Sequence, residues 1–233
     1  MDIFTLTETE RDALLLSLKV SLWGVGLSLP LGILVAALLA RTEFWGKSLV
    51  NGIIYLPLVL PPVVTGYFLL VLFGRRGVIG AFLLDTFGVS LSFRWTGAAL
   101  ASAVMGFPLL VRAVRLSIEM VDQKLEQAAA TLGASAAWIF LTVTLPLTVP
   151  GILAGFFLSF GRSLGEFGAT ITFVSNIPNQ TQTLPLAIYT FTQVPGGDAP
   201  ALRLAVISIV LSLVALIASD LLARRATRRI TGL

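Results

Sequence analysis

Two ionisable side chains stand inside an apolar run: Arg162 and Glu166, four residues apart in FFLSFGRSLGEFGATITF. On a helix, residues at this spacing share a face and can pair. At membrane depth a lone charge costs about 2.5–3.5 kcal/mol on insertion scales. Such a pair therefore lines a water-filled route or ties structure together. On the first reading Arg162 offers a positive field to an anion, and Thr170 and Thr172 donate hydroxyl hydrogen bonds further along. On the second the two charges neutralise each other between helices. The residues alone leave both open.

Other chemistry is scarce. The chain has no Cys and no His, which removes disulfides, thiolate nucleophiles, most zinc sites and imidazole acid–base catalysis. Neither a metal site nor a catalytic residue is expected. A membrane-embedded enzyme would need paired aspartates, a Ser–Lys couple or His-rich loops, and no such cluster is visible. Gly46-Lys47-Ser48 resembles the end of a nucleotide-binding loop. The full pattern needs a glycine five residues before Gly46, where Arg41 stands, and the stretch follows an apolar run instead of a strand. The chain is therefore not expected to bind ATP or any other cofactor itself.

The elements that position these residues follow from composition. Of 233 residues, 56% are hydrophobic and 12% charged, about half the charge of a typical soluble domain. No single core of this size buries so much apolar side chain, so lipid must solvate it. A membrane helix needs about 20 apolar residues. Five runs qualify: 13–40, 48–73, 96–117, 147–174 and 201–223. The predicted fold is thus an all-α membrane protein forming one domain over 1–233. Residues 77–93 hold a shorter apolar stretch, read as an interfacial or loop helix. Pro57, Pro61 and Pro62 predict a kinked or partly unwound second span.

Net charge is +4, but the basic residues form no groove-sized patch with interleaved aromatics, so no nucleic-acid partner is expected. Arg224, Arg225, Arg228 and Arg229 follow the last apolar run, as a cytoplasmic anchor does. With the N-terminus outside, the inner segments hold these four plus Arg41, Lys47, Arg112, Arg115 and Lys124. The outer ones hold Arg11, Arg75, Arg76, Arg94 and Arg203. The imbalance predicts a multi-pass protein of the cytoplasmic membrane, N-terminus out and C-terminus in. Asp2, Glu8, Glu10 and Asp12 precede the first run, where a signal peptide would carry positive charge.

Residues 118–146 look different from the spans. Ile118, Val121, Leu125, Ala128 or Ala129, and Leu132 fall at helical spacing, with Glu119, Asp122, Lys124, Glu126 and Gln127 on the remainder. Gly133 suits a left-handed helix cap. Ser135–Thr144 then lead into Leu145–Pro146, where the chain re-enters the membrane. An amphipathic hairpin of this kind suits docking onto a soluble partner. Further on, Gly161, Gly165 and Gly168 are spaced to let one helix approach another closely, including a second copy of the chain. Residues 175–200 form the longest outer segment, and its middle, Leu184–Thr192, dips back or lies on the surface.

Residues 127–146, QAAATLGASAAWIFLTVTLP, resemble the cytoplasmic signature of bacterial ABC-importer permeases. Ala128, Ala129, Gly133, Leu145 and Pro146 match in register. Val143 replaces an isoleucine, and Gln127 stands where the signature has glutamate, with Glu126 just before it. The stretches ARTEFWGKS, LPLVLPPVVTGY, GRRGVIG and RSLGEFGATITFVSNIP are similar to molybdate permeases within that superfamily, and sulfate permeases share part of them. The resemblance implies the type I ABC importer permease fold, with 118–146 as the coupling segment. It implies a homodimer served by two ATPase subunits, which carry ATP and Mg, and by an external oxyanion-binding protein. The expected function is import of an oxyanion, molybdate ahead of sulfate or tungstate. A passive channel is the rival reading, and it would need no docking hairpin.

Overall fold

The computed structural model describes residues 6–231; Asp2 lies outside them. Helix α1 (Glu8–Arg41) begins at a capping box. The Thr7 N–H donates to Glu10 Oε2 at 2.7 Å, and the Glu10 N–H donates to Thr7 Oγ1 at 3.4 Å. The helix continues unbroken through Pro30 to a basic last turn at Arg41, so its 34 residues extend about 51 Å.

Its partner is α5 (Trp95–Glu119). The two lie close because Gly24 has no side chain: a Cβ there would sit 2.7 Å from the Ala99 carbonyl oxygen. Two apolar clusters follow their interface. Val20, Ala98, Ala101 and Met105 pack with Phe173 toward one end, and Ala36, Leu39, Leu110, Val114 and Ile118 toward the other.

The expected span 48–73 is not one rod. It divides into α2 (Lys47–Val59) and α3 (Pro62–Phe73), which meet at 115°. The cause lies in LPP. A residue before proline avoids the α region, and both Leu60 (ψ 144°) and Pro61 (ψ 132°) are extended. The short helix expected after it is α4 (Val78–Phe87), ended by Gly88 in the left-handed conformation.

The segment after α5 also differs from expectation. The stripe starting at Ile118 is divided between two elements, because α5 runs to Glu119 and Asp122 caps a new helix, α6 (Gln123–Thr131). The Asp122 carboxylate accepts the Lys124 N–H at 2.9 Å. Ile118 and Val121 are consequently buried in the bundle, whereas Leu125 and Leu132 are exposed.

Past Gly133, Ser135 caps α7 (Ala136–Ile139), which passes through one π turn (Phe140–Thr144) into α8 (Leu145–Leu164). The π turn has a local cause. Pro146 has no N–H, and its ring crowds the carbonyl of Thr142; the wider turn, closed by Leu145 N–H to Phe140 O, relieves this. The chain therefore re-enters the apolar region as a continuous helix.

The expected span 147–174 breaks at residues 165–167 before α9 (Gly168–Val174). Gly161, Gly165 and Gly168 thus do not share one helix. Gly168 is used within the chain, where a Cβ would meet Pro62 Cβ at 2.8 Å. Helix α10 (Leu184–Thr192) lies against α1 and α11 (Asp198–Thr231), burying Leu184 and Ala187 with Ala13 and Leu204. Among the described residues four helices are long and apolar enough to cross a membrane, and the bent α2–α3 pair makes a fifth crossing if taken together.

Candidate docking hairpin and intramembrane pair

The hairpin of α6 and α7 is built by three local devices: the Asp122 cap, the Ser135 cap and Gly133 between them. Gly133 has φ +86°, the left-handed region that disfavours a side chain, and open space surrounds it. The Leu132 N–H donates to Ala129 O, and the Ala134 N–H also donates to Ala129 O, closing the helix end. The result is a rigid corner that presents apolar side chains outward. Leu132 is 89% exposed, and Met120, Leu125, Trp138 and Leu141 are exposed along the same segment of chain. Exposed apolar side chains grouped on a polar loop suit contact with another protein or with the membrane surface.

The residues singled out in the sequence divide by direction. Gln127 and Ala128 are exposed on α6, with Ala129 half-buried; Val143 and Leu145 are half-buried and Pro146 is exposed at the root of α8. Glu126 turns the other way. Its Oε1 accepts from Arg41 Nη2 at 2.8 Å and from Thr144 Oγ1 at 2.6 Å. A Glu126 so engaged holds its own chain, and the uncharged Gln127 is the member of that pair left facing outward. Arg41 and Thr144 lie 85 residues before and 18 residues after Glu126. Neither carried a local signal, since an Arg after a span and a Thr in an apolar stretch are both commonplace.

Arg162 and Glu166 do pair, Arg162 Nη1 lying 2.5 Å from Glu166 Oε2. The pair is not simply one helical turn. Arg162 occupies the last turn of α8, while Glu166 lies in the break and is buried. Its Oε1 accepts the Ala169 N–H at 2.8 Å, so one carboxylate neutralises Arg162 and satisfies a free donor at the start of α9. Around the break, the hydroxyls of Ser163 and Thr170 are buried without a protein partner. Thr172 Oγ1 instead donates to the Gly168 carbonyl of its own helix. Of the two threonines, only Thr170 keeps a hydroxyl uncommitted.

The break is held against the other broken span. On α3, a Cβ at Gly66 would sit 2.6 Å from the Ala169 carbonyl oxygen. The two short helices α3 and α9 therefore touch backbone to backbone, one from each interrupted run. Gly46-Lys47-Ser48 opens α2 directly after α1, with Lys47 Nζ paired to Glu43 at 2.7 Å.

Against known proteins, residues 28–228 match the family described as "Binding-protein-dependent transport system inner membrane component". The chain belongs to that family. It is a multi-pass permease component of the inner membrane and not an enzyme. This permease is 59% identical over 224 residues to the molybdenum transport system permease protein ModB of Escherichia coli (strain K12), covering 96% of this chain and 98% of that one. It is 58% identical over 221 residues to the protein of the same name from Haemophilus influenzae, covering 95% and 96%. Among solved structures, the permease superposes on the crystal structure of an amino acid ABC transporter with histidines, with a TM-score of 0.65 over 93% of this chain and 94% of that one at 22% identity. That likeness establishes the ABC importer permease fold.

Proposed function

We propose that this permease forms the membrane path of an ATP-driven importer of molybdate. The observation that carries the reading is the near full-length likeness to molybdenum transport permeases, joined to a hairpin whose exposed apolar residues suit a soluble partner. In this reading two copies of the chain form the path. Each hairpin, with Gln127, Ala128, Ala129 and the Gly133 corner, receives one ATPase subunit on the cytoplasmic side. ATP and Mg belong to those subunits. An oxyanion-binding protein delivers substrate at the outer face, where residues 175–200 lie.

Transport is alternating access: ATP binding and hydrolysis shift the population between outward-open and inward-open forms, and only a ligand with different affinity for the two shifts it. The Arg162–Glu166 pair and Thr170 at the break in the fourth span act at the gate. Because Arg162 is neutralised by Glu166, its role toward a passing dianion is conditional on the pair opening.

The experiment is reconstitution of the permease with an ATPase subunit and an oxyanion-binding protein from the same organism. ATP-dependent uptake of radiolabelled molybdate, competed by tungstate and weakly by excess sulfate, is expected. Uptake that proceeds without ATP overturns the importer reading in favour of a channel. Sulfate uptake preferred over molybdate overturns the substrate.

A further inference from the structure

We propose that α1 is a through-membrane strut, gripped at one end by Glu126 of the docking hairpin and at the other by Arg203 and α10. The inference rests on the importer reading and adds a route by which the two faces communicate.

The inner grip is the Arg41–Glu126 pair at 2.8 Å. Arg41 is in the last turn of α1, where a cation also complements the helix dipole. The same Glu126 oxygen accepts the Thr144 hydroxyl at 2.6 Å, and Thr144 ends the π turn leading into α8. Displacement of α6 therefore pulls on α1 and α8 together. Single π turns recur at functional sites, where they allow a helix to shift register locally.

The outer grip has two parts. Arg203 Nε of α11 donates to Glu10 Oε1 at 2.8 Å, and the Glu10 carboxylate is fully buried. Further along α1, Ser17 Oγ accepts the Leu184 N–H at 2.6 Å, fastening the first residue of α10 to α1. Between the two grips α1 is one unbroken helix seated along α5 by Gly24 and Gly32. A helix held at both ends and packed between them moves as a body, because packed cores favour discrete arrangements over gradual bending. Glu126 and Arg41 are positioning residues here: they touch neither nucleotide nor oxyanion.

The test uses the assembled transporter in vesicles with molybdate-loaded binding protein. Since the chain lacks cysteine, Gln193→Cys between α10 and α11 reports on the outer face through its rate of modification by an impermeant maleimide. In this parent, ATP with vanadate should change that rate, and binding protein should stimulate hydrolysis. Arg41→Gln should diminish both effects at least about fivefold, the lower range of site-to-site coupling, in complexes that retain ATPase. Exchanging the charges, Arg41→Glu with Glu126→Arg, should restore them in part. If Arg41→Gln lowers only the amount of complex or its melting temperature, leaving both effects intact per complex, the pair is structural and the strut is overturned. Should Arg41→Gln fail to assemble, Glu10→Gln at the far end decides: loss of both effects supports the strut, and persistence overturns it. A parent that holds no ATPase refutes the importer reading itself. A coupled parent with an equally coupled Arg41→Gln variant refutes the strut alone.

Discussion

Glu166 accepts the backbone N–H of Ala169 at 2.8 Å while facing the Arg162 guanidinium, so removing the carboxylate and removing the guanidinium are unequal injuries. Arg162→Ala leaves a buried carboxylate with one hydrogen bond. Glu166→Ala leaves a cation without a partner and also frees a donor at the start of α9, adding about 1 kcal/mol for a lost cap. Breaking a buried pair from one side costs about 3–5 kcal/mol, lessened here because Arg162 is partly exposed. The carboxylate left by Arg162→Ala is fully buried, whereas the cation left by Glu166→Ala still reaches solvent. Arg162→Ala should therefore lower thermal stability in detergent at least as much as Glu166→Ala, despite the lost cap. The double variant should be milder than the sum of the two. Additive losses in a melting series would show independent roles.

Gly133 gives a sharper test because nothing crowds it. Its φ is +86°, and a Cβ added there would meet no atom within 4 Å, so Gly133→Ala costs only backbone strain, about 1 kcal/mol. Gly133→Asn should be gentler, since asparagine tolerates the left-handed region. Gly133→Asp has the same local tolerance but places a charge at the proposed docking corner. It should accumulate in the membrane, lose uptake and recover less ATPase on purification. Normal uptake by a well-expressed Gly133→Asp protein would remove this corner from coupling.

Much of this was legible in the sequence because it is local. Gly133, the second stretch opening at Ser135, and the Pro61–Pro62 break are properties of a few adjacent residues. The i, i+4 spacing also announced the Arg162–Glu166 pair. What escaped were relations that depend on the third dimension. Apolar periodicity cannot reveal that the stripe from Ile118 to Leu132 spans two elements, because a capped break leaves the spacing intact. Nor can it show that Glu126 faces Arg41, or that Glu10 is buried against Arg203 near the chain's other end. The interruption at residues 165–167 lacks a proline. It is held by Gly168 against Pro62 and by the Glu166 cap, contacts that need α3 in place.

Orientation can be read directly by single cysteines. Phe44→Cys in the α1–α2 turn and Ala130→Cys on α6 should resist an impermeant maleimide in intact cells and react once the membrane is opened. Gln193→Cys should react in intact cells. All three positions are exposed on the chain, so protection reports the membrane and not burial. Labelling of Ala130→Cys in intact cells would invert the topology.

The last prediction separates packing within the chain from packing between copies. A Cβ at Gly66 would lie 2.6 Å from the Ala169 carbonyl oxygen and 2.8 Å from Thr172 Cβ. Neither neighbour is the loose end of a flexible side chain, so α3 and α9 must part. Overpacking of this kind costs about 1–3 kcal/mol, and Gly66→Ala should lower the melting temperature of the solubilised permease. Gly161 is the reverse case: it lies on α8, and a Cβ added to it would have nothing within 4 Å. Within one chain a Cβ at Gly161 meets nothing, so Gly161→Leu should leave folding and membrane accumulation intact. If a second copy packs against this part of α8, as small residues permit between membrane helices, the added side chain must hold the copies apart. Light scattering in detergent should then find Gly161→Leu shifted from dimer to monomer, while Gly66→Ala loses stability without that selective shift. A Gly161→Leu protein that stays dimeric and transports normally would place the contact between copies elsewhere on the chain.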